Sequence, residues 1–320
     1  MKRFLIALMA MTALAGSTSA QINANTKDQL YIEVSALGNL DYFYDHKMGM
    51  EMVGKELGVK TEYVGPAEYD MNAMVAAFEQ AIAKKPKGIV VVGFEPSLNS
   101  IVDKAVKAGI PVVTVDADLP GSKRMAFVGT SNFNAGVVGG NKLAALVGGK
   151  GKVALITKPG QSNLEERLAG YKAALANFKD ITIVQVADTQ SDPVVAAQAA
   201  SSLLIKYPDL AGIACVEAAG GAGSATAVKE AGKAGKVKII AMDRGNEILD
   251  AIATGVISAS IAQQTALMPY YAVQILFNYN NSKVAITTDN KAAGVMGIPN
   301  LVDTGAIVID SSNYKLFQRK

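Results

Sequence analysis

A run of Val and Ile with no polar residue alternating through it is satisfied as a strand only when both of its faces are covered. Residues 109–118 read GIPVVTVDAD, such a run ending on Asp116 and Asp118. The pattern returns in KIIAMDRG at 238–245 and in GIACVEAA at 212–219. Strands of this kind belong to parallel sheets with helices on both faces, where ligands bind beyond the carboxyl ends of the strands. Three strands that end in acids therefore predict a polar binding crevice.

The rest of the chain alternates in the same way. Predicted strands cover residues 30–37, 59–65, 88–94, 111–116, 125–130, 152–160, 181–188, 210–218, 237–243 and 258–264. Between them the apolar residues take helical spacing: Met71, Met74, Val75, Phe78 and Ile82 share one face, as do Leu164, Leu168, Tyr171, Leu175 and Phe178. Asp192–Pro193 pairs an N-cap with a proline at the first helical position, and Gly58 and Gly109 are placed to close helices. Repeated βα units imply doubly wound parallel sheets. The strands make one large sheet or two of about five; GGKG at 148–151 and the polar stretch 130–134 favour two lobes.

The 320 residues give ample length for two lobes, and with half of them hydrophobic and 18% charged the chain is compact rather than disordered. Met1, Lys2 and Arg3 make a basic start, residues 4–15 an apolar run, and Thr18, Ser19 and Ala20 a small-residue cleavage site. That is a secretory signal, cleaved near Ala20, and the run is too short to span a bilayer. No cysteine lies near the cleavage site, so the expected product is free in a periplasm. Without Lys2 and Arg3 the net charge falls from +3 to about +1. No basic cluster with interleaved aromatics occurs, so nucleic acid is not an expected partner. Cys215, the only cysteine, lies in an apolar strand and reads as a buried small hydrophobe.

Catalytic sets are hard to assemble. His46 is the only histidine; it is expected at the surface of the helix after the first strand, without a partner. No metal-ligand spacing is present. Paired carboxylates leave glycoside chemistry as an alternative. GGAGSAT at 220–226 imitates a dinucleotide turn, with Asp243 twenty residues after Gly223, but Thr226 stands where the third glycine belongs. Glycines serving close helix packing are the preferred reading. In the loop 39–44, the adjacent aromatics Tyr42, Phe43 and Tyr44 cannot all face one core. One or two are expected in the crevice, where a flat ring suits the C–H face of a sugar and Asn39 supplies a donor and an acceptor.

SALGNLDYFY at 35–44, IPVVTVDAD, NLEERLAGY at 163–171, CVEAAGGAGSATA, AMDRG and SASIAQQ, in that order, resemble the ribose-type periplasmic sugar-binding proteins of ABC importers. The resemblance covers about residues 30–310. It implies two doubly wound parallel-sheet lobes joined by a hinge, the type I periplasmic binding protein fold. The N-terminal lobe would comprise residues 27–130 plus about 264–293, and the C-terminal lobe 131–263 plus about 294–312. It implies a non-enzymatic monomer without cofactor that captures a sugar or polyol and delivers it to a permease and its ATPase. A sensor feeding a chemoreceptor or kinase would have the same site chemistry.

By the same resemblance Asn39, one or two of Tyr42, Phe43 and Tyr44, and Asp116 contact ligand from the first lobe, with Glu95 at the third-strand loop. Asn163, Glu217 and Asp243 contact it from the second lobe, with Gln263 near the hinge; Arg167 belongs to the helix motif. This chain carries Ala117 and Glu165 where the ribose pattern has arginines, Glu217 where it has Asn, and Phe94–Glu95–Pro96 where Asn-Pro is usual. Lost donors and added acids disfavour phosphates and sugar acids, and suit a neutral sugar or polyol, or a ligand bearing an amine.

Overall fold

The computed structural model describes residues 26–282 and 284–318; the predicted secretion signal at 1–20 lies outside them. All ten predicted strands form. In the first half they are β1 (Leu30–Val34), β2 (Lys60–Val64), β3 (Gly88–Val92), β4 (Val112–Val115) and β5 (Ala126–Gly129). In the second half they are β6 (Lys150–Thr157), β7 (Asp180–Asp188), β8 (Leu210–Cys215), β9 (Lys238–Met242) and β10 (Ala259–Gln263). Two short strands, β11 (Leu301–Asp303) and β12 (Ala306–Asp310), were not predicted. They complete two six-stranded sheets, ordered β11-β5-β4-β3-β1-β2 and β12-β10-β9-β8-β6-β7. All pairings are parallel except β10 with β12.

The helices are α1 (Asp41–Leu57), α2 (Met71–Ala83), α3 (Asn99–Lys107), α4 (Asn132–Leu146), α5 (Ser162–Leu175), α6 (Pro193–Lys206), α7 (Ala218–Glu230), α8 (Asn246–Ala253) and α9 (Leu267–Asn281). They cover both faces of each sheet, and this is why the strands carry no alternation. In β3 all five residues are buried. Val90 and Val92 face a core containing Phe43 of α1 and Met268 of α9, whereas Ile89 and Val91 face Phe78 of α2 and Val102 of α3. Helix ends follow the expected chemistry: Asp192 accepts from the amides of Val194 and Val195 at 2.8 and 2.9 Å, and Gly58 closes α1 in the left-handed conformation.

GGAGSAT opens α7 as a packing surface. A Cβ on Gly223 would stand 2.6 Å from the Ala197 amide nitrogen and from the Pro193 carbonyl oxygen, so α7 meets α6 backbone to backbone. Gly223→Ala is expected to cost about 2 kcal/mol, because overpacking against backbone outweighs alanine's helix propensity. Urea melts would register this; an unaltered midpoint would show that the helices separate freely.

Register brings the site to one edge of each sheet. Val92 pairs with Val115 and Val115 with Val128, so Gly93 and Asp116 leave their strands level with Gly129, the last residue of β5. Met242 pairs with Ile261, which places Asp243 at the matching edge of the second sheet. The chain passes between sheets three times: from β5 to α4, from β10 to α9, and from β11 to β12. These crossings are stitched together. Ser131 N donates to Asp303 Oδ1 at 2.8 Å, Gln264 Nε2 to Thr304 O at 2.5 Å, and Thr304 N to Gly129 O at 2.8 Å.

Two expectations are corrected. The return to the second lobe lies at Thr304–Gly305 rather than near residue 294: β11 pairs with β5, and Ile298 and Val302 pack on the first-lobe core. His46 is fully buried rather than at the surface, and its Nδ1 lies 2.6 Å from Oε1 of Glu33, itself fully buried on β1.

Candidate functional site

The same construction ends one central strand in each lobe. Asp116 after β4 and Asp243 after β9 have φ of 64° and 66°, a left-handed conformation uncommon for residues with a side chain. Each amide turns back onto the neighbouring strand: Asp116 N donates to Val128 O at 3.1 Å, and Asp243 N to Ile261 O at 2.8 Å. Such backbone costs on the order of 1 kcal/mol or more and collects at functional positions. It places both residues just beyond the carboxyl ends of their strands.

The two lobes' acids converge. Asp243 is pushed above the usual carboxylate range mainly by burial and also by the charge of Asp116 across the gap; the Arg167 charge and a hydrogen bond from Gln263 pull the other way. Tyr42 donates its hydroxyl to Asp116 Oδ1 at 2.6 Å. Burial, then the charges of Asp116 and Asp243, then that hydrogen bond hold the phenol well above its ordinary value, so it remains a donor. Arg167, 5% exposed, donates from Nη1 to Val216 O at 2.7 Å and from Nη2 to Asn132 Oδ1 at 2.6 Å. Its Nε has no partner among the described residues. Tyr42, Asp116, Arg167, Asp243 and Gln263 thus lie close enough to act on one another electrostatically, donors among acceptors.

The other predicted residues have the following surroundings. Phe43 is 2% exposed and packs edge-on to Tyr42, His46 and Phe94, so it belongs to the core. Tyr44 is exposed. Exposed Asn39 donates to Glu68 Oε1 at 3.4 Å, while Glu95 accepts from Tyr69 at 2.9 Å and from Ser97 at 3.3 Å. Glu217, at the N-cap of α7, is held within its own lobe by the hydroxyls of Thr189 and Ser191, the latter at 2.8 Å. Asn163 is exposed at the start of α5. Of the acids beside Asp116, Asp118 is taken up by Arg124, by Thr114 at 2.7 Å and by the Leu119 amide at 2.7 Å.

Asn132, which orients Arg167, and Thr189 and Ser191, which hold Glu217, were not singled out from the sequence. The polar stretch 130–134, which marks a break between lobes, contains the crossing that delivers Asn132 to the second lobe. The cluster suits hydroxyls: carboxylate and amide oxygens accept from them, while the guanidinium and amide nitrogens donate to them.

A family model described as a periplasmic binding protein domain matches residues 34–283. The D-allose-binding periplasmic protein of Escherichia coli is 29% identical over 262 residues, spanning 78% of this chain and 83% of that one. The structure of an arabinose-binding protein from Geobacillus stearothermophilus is 37% identical with a TM-score of 0.85, covering 91% of this chain and all of that one. An ABC transporter periplasmic solute-binding protein from Actinobacillus succinogenes with bound D-allose is 25% identical with a TM-score of 0.75, over 90% of this chain and 99% of that one.

Proposed function

This chain belongs to the periplasmic binding protein family, ribose type, and on that premise we propose that it captures a neutral monosaccharide or polyol between Asp116 and Asp243 for an ABC importer. The observation that carries this reading is the matched pair of strand-end aspartates, one per lobe, each in the left-handed conformation and near enough for one charge to act on the other. Asp116 accepts sugar hydroxyls through the oxygen that Tyr42 leaves free. Asp243 and Gln263 take hydroxyls from the opposite side, Arg167 donates from the floor, and the Tyr42 ring covers an apolar C–H face.

Charged hydrogen bonds contribute roughly 1.5–3 kcal/mol each, and several of them, less association costs, leave binding in the range of about −8 to −12 kcal/mol. Contacts from both lobes mean that ligand favours the closed arrangement and shifts the hinge equilibrium toward it. The closed monomer then presents its outer face to a membrane permease driven by a cytoplasmic ATPase. Cleavage of the signal near Ala20 would release the protein into the periplasm.

A thermal-shift screen of D-allose, D-ribose, both arabinoses, D-galactose and xylitol tests this. One of them is expected to stabilise the protein by about 2.7 kcal/mol at a hundred times its Kd. If no neutral sugar or polyol raises the melting temperature, while an amino sugar or another class does, the assigned ligand class is wrong.

A further inference from the structure

Arg244 follows Asp243 in the loop between β9 and α8, yet it reaches into the other lobe, where its Nη2 donates to Asp45 Oδ2 on α1. Asp45 is 3% exposed, and the same oxygen accepts from Thr265 Oγ1 at 2.7 Å. Thr265 lies in the crossing from β10 to α9 and is itself buried. One turn along α1, a Cβ on Gly49 would stand 2.2 Å from the Ala266 carbonyl oxygen. The helix that carries Asp45 is therefore packed directly onto the crossing. By contrast, the ion pairs Arg124–Asp118 and Lys142–Asp310 each stay within one lobe.

We propose that Arg244 is a positioning residue: by docking on Asp45 it fixes the loop that carries Asp243 against the first lobe and limits how far the two lobes part. The charge balance supplies the reason. Closing the lobes brings the carboxylates of Asp116 and Asp243 toward one another, which is unfavourable until a ligand fills the space between them. The same movement joins opposite charges at Arg244 and Asp45, next to the residue under repulsion. The pair is largely removed from water, with side-chain exposures of 25% for Arg244 and 4% for Asp45, so solvent screens it weakly. Thr265 ties the contact to the crossing, so the position of the Asp243 loop and the angle of the hinge become one variable.

The inference rests on the sugar-binding reading for its affinity arm only; its scattering arm needs no ligand. Arg244→Gln, Asp45→Asn, the double variant and Arg244→Lys are titrated calorimetrically with whichever of D-allose, D-ribose or L-arabinose gives the largest thermal shift. Each neutral single variant is expected to bind about tenfold more weakly, the double variant no more weakly than either, and Arg244→Lys to recover most of the loss. Small-angle scattering of ligand-free Arg244→Gln is expected to give a larger radius of gyration than the parent protein. Losses that multiply in the double variant, or affinities equal to the parent's, overturn the proposal. So does an unchanged radius of gyration in Arg244→Gln, which decides the matter even if no sugar binds or if Asp45→Asn fails to fold.

Discussion

Asp243→Ala is expected to weaken binding of the favoured sugar at least about a hundredfold, and Asp116→Ala at least about tenfold. The asymmetry follows from the buried Arg167 charge beside Asp243. Asp116 has one oxygen engaged by the Tyr42 hydroxyl and offers the sugar the other. Asp243 lies within reach of the Gln263 side chain and of the Arg167 charge, both of which favour its carboxylate form. Its loss removes hydrogen bonds to the sugar and leaves the buried Arg167 without its balancing charge. Two lost charged hydrogen bonds amount to about 3–6 kcal/mol, which is the basis of the hundredfold figure. Calorimetric titration of both variants checks the ordering. Equal affinities for parent and Asp243→Ala would remove this residue from the site, and a larger loss at Asp116 would mean that Tyr42 moves aside for the ligand.

These two aspartates were the most legible part of the molecule, and the reason is physical. A strand buried on both faces cannot tolerate a carboxylate, so the first acid after an unbroken apolar run marks where the sheet ends and the crevice begins. The same logic recovered all ten strands of the two central sheets. It missed β11 and β12, two consecutive strands separated by Thr304–Gly305 that pair with different sheets. Pattern reading along the chain supplies no signal that one short segment serves two sheets.

Within the site, sequence order said which residues precede and follow a strand, but not how neighbours divide between core and cleft. Tyr42, Phe43 and Tyr44 stand about 100° apart around α1, so one reaches the cleft, one the core and one solvent. Glu217 follows a strand just as Asp116 does, yet two hydroxyls from the loop after β7 engage it, and their approach depends on tertiary packing. Arg244 lies next to a predicted site residue but acts across the hinge, a role that only the fold reveals. His46 did leave a trace: Phe43, His46, Met50 and Val53 recur at helical spacing and all are buried, so the histidine sits on the core stripe of α1. Its partner was visible too, since Glu33 is the one charged residue within the apolar strand LYIEV.

That buried pair gives the largest stability effect expected for a residue outside the cleft cluster. Glu33 and His46 are both fully buried and joined at 2.6 Å, while Glu33 Oε2 and His46 Nε2 have no other hydrogen-bond partner among the described residues. Burial alone would lower the histidine's pKa. The charge and hydrogen bond of Glu33, with smaller contributions from Asp116 and Asp45, override it, and the imidazole titrates above its ordinary value. A group whose pKa is raised by folding contributes stability that is fully present below its unfolded pKa, about 6.5 for histidine, and that is lost as pH rises through the folded value. Between those two values stability falls by up to about 1.4 kcal/mol per pH unit. Glu33→Gln keeps the shape but removes the charge, and breaking a buried pair in this way is expected to cost about 3 kcal/mol at pH 6. The cost should shrink toward alkaline pH, where the parent protein has itself lost the contribution. Urea melts of parent and variant at pH 6 and pH 9 measure both terms. A loss below about 1 kcal/mol at pH 6, or one that does not change with pH, would mean that His46 is neutral in the folded protein and that the contact is an ordinary hydrogen bond.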